Sequence, residues 1–261
     1  MTGRVLLLGG LDPSGGAGLT ADATVVALHQ AWPLPIALAL TEQNRRGFRR
    51  CQPVPTEQWS RALHAVLDDG PVQAVKIGLI GDAVVLRGVA RELAPLRGQV
   101  PIVVDPVLSA TTGGFTASAE LVAAYLELLL PLATVLTPNG PELAALCGGD
   151  ARRALAAGAK AVLGKGGHGE GSVSEDVLWQ ADDRLAFRRE RLACGPVRGT
   201  GCALAAAIAA RLARGTTIAE ACRRSGDWLA MLLRTLGPAA ADGLPRLLPF
   251  ARCLPVLADG R

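Results

Sequence analysis

The feature that most constrains the fold is a repeated alternation between short apolar runs and longer helical patterns. Six apolar runs, at 5–8, 36–40, 75–77, 102–104, 134–136 and 161–163, each precede turn residues and then a helical stretch. Continuous apolar strands between helices are typical of a parallel sheet that is covered on both faces and joined by right-handed crossovers. The sequence therefore predicts a three-layer α/β/α fold with a mainly parallel central sheet.

The remaining patterns complete this architecture. Helices are predicted at 18–30, 57–67, 83–96, 118–130, 142–147, 152–157, 201–214 and 218–236, and an antiparallel hairpin at 174–191. Thr217 and Glu220 have the spacing of a capping box for the last helix. We expect a single domain, 1–261, with its motifs in a core at 5–236 and a C-terminal tail at 237–261 that the sequence gives no role.

The composition of the chain argues against several classes of partner. Aromatic residues make up 3% of the chain and the formal charge is +4 with scattered arginines, which disfavours nucleic-acid binding. The six cysteines have no CxxC pair or zinc-like spacing, so we expect reduced thiols. The first apolar run is too short for a signal peptide, and no span of membrane length follows. We expect a cytoplasmic protein without membrane or nucleic-acid partners.

A glycine loop with the sequence RGTGC, at 198–202, opens an alanine-rich helical pattern. Unpaired N–H groups and the positive dipole end make such a helix N-terminus an anion site, and the same field favours the thiolate of Cys202. Alternatively, Gly199 and Gly201 only shape a strand-to-helix turn and Cys202 is a small buried hydrophobic residue. The residues by themselves leave both interpretations open.

A second glycine loop, at 9–18, follows the first predicted strand. It has neither the lysine of a P-loop nor the G-x-G-x-x-G spacing, so it offers only a backbone that can approach a small ligand closely. A tight turn explains the same residues. Gln43, after the second strand, could read the donor and acceptor edge of a heterocycle, or it could cap a turn.

Charged and amide side chains follow three later strands. Asp105, Asn139 and Glu142 gather oxygen atoms at one predicted sheet edge, which suits Mg²⁺ with its preference for one or two carboxylates, water and phosphate oxygens. Lys165 could neutralise a phosphate, whereas His168 fits a loop hydrogen bond and stays outside the chemistry. Taken singly, each of the first three residues is also explained as a helix cap or turn residue.

Together, seven motifs in this order resemble the bacterial hydroxymethylpyrimidine/phosphomethylpyrimidine kinases of thiamine biosynthesis, in the ribokinase-like superfamily. The motifs are DPSGGAG at 12–18, TEQN at 41–44, VKIG at 75–78, DPV at 105–107, TPNGPE at 137–142, KGGH at 165–168 and GTGC at 199–202. This resemblance implies ATP-dependent phosphorylation of 4-amino-5-hydroxymethyl-2-methylpyrimidine and then of its monophosphate, with Mg²⁺, by a homodimer.

The resemblance also implies site residues. Substrate-binding residues would be Gln43, Gly9, Ala17, Leu79, Val107 and Asp12; Asn139 and Lys165 would bind the nucleotide; Glu142 and Asp105 would hold the metal; and Gly199, Thr200, Gly201 and Cys202 would form the catalytic anion hole. In-line phosphoryl transfer needs alignment and charge neutralisation more than covalent chemistry, which such a set supplies.

Several residues depart from the family pattern. Arg198 stands where the family commonly has histidine, Ala203 where it has threonine, and Glu42 replaces a small residue beside Gln43. A negative charge at Glu42 could disfavour a phosphorylated substrate or suit another ring. Two alternatives therefore remain open: a pyridoxal or pyridoxine kinase of the same superfamily, and a weakened relative that only binds the precursor.

Overall fold

The structure, a computed structural model, describes residues 3–110, 113–167, 171–181, 183–237, 240 and 242–253. These residues contain one sheet in the order β3-β2-β1-β4-β5-β6-β7-β8-β9. Its strands are β1 (Arg4–Leu11), β2 (Trp32–Asn44), β3 (Gly47–Pro53), β4 (Ala74–Ile77), β5 (Ile102–Val104), β6 (Val135–Leu136), β7 (Val162–Gly164), β8 (Val173–Gln180) and β9 (Asp183–Glu190).

The centre of the sheet is parallel, as the apolar runs predict. Strands β2, β1, β4, β5, β6 and β7 are parallel neighbours, so their carboxyl ends meet at one edge of the sheet. The predicted hairpin is present as β8 and β9, which pair antiparallel at one side of the sheet.

One strand was not predicted. Strand β3 pairs antiparallel with the end of β2, which runs on to Asn44 rather than ending at Leu40. Gln43 consequently lies on a strand, and not in the loop after it. An analysis of hydrophobic period misses this edge hairpin, because neither the end of β2, at 41–44, nor β3 has a continuous apolar run.

The helices are α1 (Gly18–Leu28), α2 (Thr56–Asp68), α3 (Ala83–Leu93), α4 (Ala119–Ala124), α5 (Gly140–Cys147), α6 (Ala151–Ala156), α7 (Thr200–Leu212) and α8 (Ile218–Arg234). Every predicted helix is represented, but the one predicted at 118–130 is divided. Its α-helical part ends at Ala124 and continues as a π-helical turn, Tyr125–Leu129, and a 3-10 turn, Leu130–Leu132. Pro131 lacks the N–H that a continuing helix needs.

Two hydrophobic cores lie on opposite faces of the sheet and confirm the three-layer fold. On β1, Leu6 and Leu8 face the core shared with helices α2 to α6, whereas Val5 and Leu7 face the core shared with α1, α7 and α8. The alanines of α7 are fully buried, and their small side chains let this helix pack closely against α1 and the sheet. The N-terminus of α7 is thereby held at the carboxyl edge of the strands.

The capping box predicted for the last helix is only half present. Thr217 accepts a hydrogen bond from the backbone N–H of Glu220 at 3.4 Å, as a helix cap should. The Glu220 carboxylate, however, binds Arg223 and Arg224, so the reciprocal half of the predicted capping box is replaced by ion pairs.

None of the described helices has the length and apolarity needed to cross a membrane. The cysteines whose side chains are described are free thiols, as expected.

Candidate active site

The two glycine loops meet at the carboxyl edge of the sheet. Gly199, just before α7, has φ +76°, and a Cβ there would lie 2.0 Å from the carbonyl oxygen of Gly16. Only glycine fits both the left-handed backbone and this close approach. The contact holds the loop after β1 against the N-terminus of α7, whose first N–H groups have no partner within the helix. The predicted loop at 199–202 thus opens a helix, as expected.

A charged cluster lies beside that helix end. The Lys165 ammonium is 2.8 Å from Asp105 Oδ1 and 3.7 Å from Glu142 Oε2. Asp105 is also bound by the Thr137 hydroxyl at 3.2 Å. A Cβ added at Gly201 would be 3.1 Å from Lys165 Nζ, so this ammonium lies against the first turn of α7. The structure brings together the residues predicted to hold phosphate and metal.

Asn139 and Glu142 also have a structural role. They form a capping box at the start of α5: Asn139 Oδ1 accepts the Glu142 N–H at 2.9 Å, and Glu142 Oε2 accepts the Asn139 N–H at 2.7 Å. The cap alternative raised by the sequence is therefore present. Since Glu142 Oε2 also faces Lys165, the cap positions the carboxylate for charge chemistry.

The charges of this cluster influence one another. Burial by itself would raise the pKa of Asp105, but Lys165 and then Lys76 outweigh it and hold that pKa below its usual value. Burial raises the pKa of Glu142 to about 7, against the opposing effect of Lys165. Burial would lower the pKa of Lys165, but Asp105 and Glu142 raise it. The ammonium therefore stays charged between one firmly ionised carboxylate and one that titrates near neutrality.

The prediction of a thiolate at Cys202 is wrong for this structure. Burial raises the pKa of the thiol to about 11, although Lys76 and a hydrogen bond from the Gly18 backbone act in the opposite direction. The desolvation of the charged sulfur is the largest of these effects. Cys202 nevertheless lies where predicted, in the first turn of α7.

The sequence analysis gave no role to Lys76. Its ammonium lies 2.6 Å from Asp22 Oδ2, and the side chains of both residues are 1% exposed. Lys76 is on β4 and Asp22 on α1, so the pair joins the sheet to this helix, and its charges act on the Cys202 thiol. A lysine within an otherwise apolar buried strand was the signal that could have revealed it.

On the other side of the glycine loops, Gln43 is held by its neighbours. Gln43 Nε2 donates to Thr41 Oγ1 at 2.8 Å, and Gln43 Oε1 accepts from the guanidinium of Arg198. Arg198 also lies 3.3 Å from Asp12 Oδ2, which is fully buried. The predicted Glu42 charge, by contrast, points outward: its side chain is 61% exposed and lies 3.8 Å from Arg50.

The residues predicted to line the pocket lie at the first glycine loop, except Val107, which lies after β5. A Cβ at Gly9 would be 3.7 Å from the Leu79 backbone, Ala17 precedes α1, and Val107 follows β5. Asp12, which was predicted to bind substrate, already has a structural partner. Its Oδ1 accepts hydrogen bonds from the backbone N–H and the hydroxyl of Ser14. The predicted loop residue His168 falls outside the described residues.

The C-terminal tail, which the sequence left without a role, returns to this site. Arg246 pairs in parallel with Val197, and its carbonyl accepts the backbone N–H of Arg198 at 2.9 Å. Leu247 lies against the loop after β1, since a Cβ at Gly16 would be 2.6 Å from its Cδ2. Arg45 on the β2–β3 turn donates to the Pro245 carbonyl at 2.8 Å. The tail thus holds Arg198 and the first glycine loop in place.

Comparison with known proteins assigns the family. The family model described as phosphomethylpyrimidine kinase matches residues 12–242. This chain belongs to that family. It is 38% identical over 232 residues to the hydroxymethylpyrimidine/phosphomethylpyrimidine kinase of Rhizobium meliloti, with 85% of this chain and 86% of the relative covered.

Solved structures agree with the fold of the phosphomethylpyrimidine kinase family. The phosphomethylpyrimidine kinase of Clostridium difficile matches with TM-score 0.76 and 28% identity, over 88% of this chain and 99% of that one. The pyridoxal kinase of Staphylococcus aureus, in complex with AMP-PCP and pyridoxal, matches with TM-score 0.80 and 26% identity over 90% and 88% of the two chains. The fold is thus shared by kinases named for two different rings.

Proposed function

We propose that the protein transfers the γ-phosphoryl group of ATP to the hydroxymethyl group of 4-amino-5-hydroxymethyl-2-methylpyrimidine, and then phosphorylates the monophosphate to the diphosphate. One observation carries the proposal: the N-terminus of α7 and the Lys165 ammonium lie side by side at the sheet edge, with two carboxylates, Asp105 and Glu142, around that ammonium. Family membership and the name of the Rhizobium meliloti relative support the substrate.

The charged cluster suits the nucleotide end. Lys165 and the backbone N–H groups at 200–202 would neutralise the phosphoryl oxygens, whose charge is spread over the transferred group in the transition state. Asn139 lies at the start of α5 on the same side and would contact the nucleotide. No covalent intermediate is needed, because alignment and charge neutralisation lower the barrier.

The carboxylates also fit Mg²⁺. Asp105 and Glu142 present two acidic groups to one ammonium, and Mg²⁺ uses one or two carboxylates when phosphate oxygens and water fill its other positions. When bound with ATP, the ion would offset the negative charge of the phosphates. Without the ion, the single ammonium of Lys165 offsets only one of the two carboxylates, which leaves room for a cation.

Cys202 would lie beside the attacking hydroxyl. Its thiol is neutral near pH 7, because burial raises its pKa to about 11. A loose phosphoryl-transfer transition state asks little of a base before the bond to phosphorus forms. We therefore assign the neutral thiol to positioning the hydroxyl, whose proton passes to an oxygen of the transferred phosphoryl group as the new P–O bond forms and the bond to ADP breaks.

The test is an ATP-consumption assay on a panel of hydroxymethylated heterocycles with Mg²⁺. We expect the aminopyrimidine alcohol and its monophosphate to be the best acceptors, with pyridoxal and pyridoxine far behind. Faster turnover of pyridoxal would replace the proposal by a vitamin B6 kinase. Binding of the pyrimidine without turnover would indicate a protein that only binds the precursor.

Assembly and location are part of the same proposal. We expect a cytoplasmic homodimer, on the resemblance of the motifs to a family whose members usually form dimers. Light scattering of the purified chain measures the assembly directly. A monomer at assay concentrations that retains full activity would contradict the dimer without affecting the assigned reaction.

A further inference from the structure

A directional chain of hydrogen bonds crosses the substrate side of the site. The Thr41 hydroxyl donates to the Leu11 carbonyl at 2.8 Å. The same hydroxyl oxygen accepts from Gln43 Nε2, again at 2.8 Å, and Gln43 Oε1 accepts from Arg198. Thr41 is 7% exposed and Arg198 is 6% exposed, so water competes little for these bonds.

The donor-to-acceptor direction of this series of hydrogen bonds is fixed at both ends. A backbone carbonyl can only accept, so Thr41 must donate to Leu11 and has its oxygen free to accept from Gln43. A guanidinium can only donate, so Gln43 must turn its oxygen toward Arg198. Turning the amide over would set its NH₂ group against the guanidinium and its oxygen beside the lone pairs of Thr41.

The guanidinium itself is well anchored. It lies 3.3 Å from the buried carboxylate of Asp12 and donates to the carbonyl of Asn44. The backbone N–H of Arg198 donates to the carbonyl of Arg246 in the tail. Three separate parts of the chain therefore hold Arg198 in the orientation that meets Gln43.

We propose that Arg198 is a specificity-determining positioning residue, which acts by fixing the direction of the Gln43 amide. The fixed amide has one N–H and one oxygen lone pair left for a ligand. That pattern matches a ring nitrogen acceptor next to an exocyclic amino donor, as in a 4-aminopyrimidine. A ring that carries a carbonyl at that place, or that has no ring nitrogen next to its donor group as in pyridoxine, leaves one group of the fixed amide unpaired, and this buried mismatch lowers its affinity. The inference rests on the proposed function for its substrate.

The test is a double-mutant cycle on Arg198 and Gln43, read out on two acceptors, the aminopyrimidine alcohol and pyridoxine. Arg198→Met should lower kcat/KM for the pyrimidine about tenfold or more, mainly through KM, because the amide is then free to turn over. The preference for the pyrimidine over pyridoxine should fall with it. In the Gln43→Leu background the same Arg198→Met change should have almost no further effect, because there is no amide left to orient.

Two further variants keep the test decisive. Arg4→Met is the matched control: Arg4 is a partly buried arginine that binds one carboxylate, Asp69, and one carbonyl, Val66, but it lies at the amino end of β1. It should leave the preference unchanged. Should Arg198→Met fail to fold, Arg198→Lys keeps a donor-only charge opposite Asp12 and should give a smaller loss that is also absent in the Gln43→Leu background.

The outcomes separate the two proposals. Effects of Arg198→Met and Gln43→Leu that simply multiply in the double variant, with the ring preference unchanged, would overturn the positioning role while leaving the proposed function intact. If the wild-type enzyme neither binds nor phosphorylates the pyrimidine, the proposed function itself is wrong and the inference falls with it.

Discussion

Lys76 and Asp22 form an ion pair of 2.6 Å in the interior, between β4 and α1, with both side chains 1% exposed. The second oxygen of Asp22 has no hydrogen-bond partner among the described residues. Burial raises the pKa of Asp22 to about 6 against the effect of Lys76, whereas Asp22 outweighs the burial of Lys76 and raises the pKa of the lysine. The pair is therefore costly to separate.

Removing one partner should destabilise the protein strongly. Lys76→Met leaves a buried carboxylate alone, and the free energy of unfolding should fall by about 3–5 kcal/mol. Urea unfolding measures it, with the exposed Lys160→Met as control. The double change Asp22→Leu with Lys76→Met should recover most of the loss. A Lys76→Met protein as stable as the wild type would show that the pair contributes nothing.

The same variant should be sensitive to pH. Without Lys76, the folded-state pKa of Asp22 lies further above its unfolded value, so the folded protein binds more protons than the unfolded chain at intermediate pH. The free energy of unfolding of Lys76→Met should then fall as pH rises above about 4 and level off above the folded pKa. Urea midpoints over that range check the sign, and a rise with pH would contradict it.

Cys202→Ala should abolish most turnover and leave nucleotide binding nearly unchanged. The thiol would contact the acceptor hydroxyl, whereas the N–H groups of the anion hole belong to the backbone and survive the change. Titration with ADP and steady-state kinetics measure the two effects separately. Cys222→Ala removes a buried thiol from α8 and serves as the control. Normal turnover in a folded Cys202→Ala protein would rule out a chemical role.

The reactivity of Cys202 toward iodoacetamide should be low at neutral pH. Since its pKa is raised to about 11, only a small fraction is thiolate near pH 7. The labelling rate should rise about tenfold per pH unit up to about pH 10. Mass spectrometry of the modified peptide, with the Cys202→Ala protein as background, measures it. Rapid labelling at neutral pH would show that the helix field outweighs burial after all.

Glu142→Gln should raise the Mg²⁺ concentration needed for half-maximal activity by about tenfold, because it removes one of two carboxylates from the cluster. Stability should change little, since the amide oxygen can still accept the Asn139 N–H that the carboxylate binds. Glu120→Gln, on an exposed surface, is the control. A magnesium titration identical to that of the wild type would contradict the assignment.

The tail should contribute to substrate affinity. A chain that ends at Gly237 loses Leu247 from the first glycine loop and the carbonyl that holds the Arg198 N–H. We expect KM for the pyrimidine to rise about tenfold through the loss of this positioning, with a smaller change in kcat. Leu247→Ala should act in the same direction. A truncated protein with a lower melting temperature but unchanged KM would limit the tail to a structural role.

The sequence alone determined the layers of this protein and the positions of its motifs. Strand and helix periods are local properties, so the apolar runs placed the parallel strands, and the glycine loop was correctly placed at the start of α7. The order of seven motifs indicated the family that the comparisons assign. Edge strand β3 was not predicted, because a polar edge strand has no hydrophobic period.

Tertiary structure decided which of these residues meet. Gln43 and Arg198 are 155 positions apart, and Lys76 and Asp22 are 54 apart; no local pattern records such partners. Tertiary structure also decided the charge of Cys202. The sequence shows that the residue lies at a helix end, but the burial that raises the pKa of its thiol depends on which residues the fold packs around it. Propensity and period act along the chain, but hydrogen-bond polarity and desolvation depend on what the fold brings into contact.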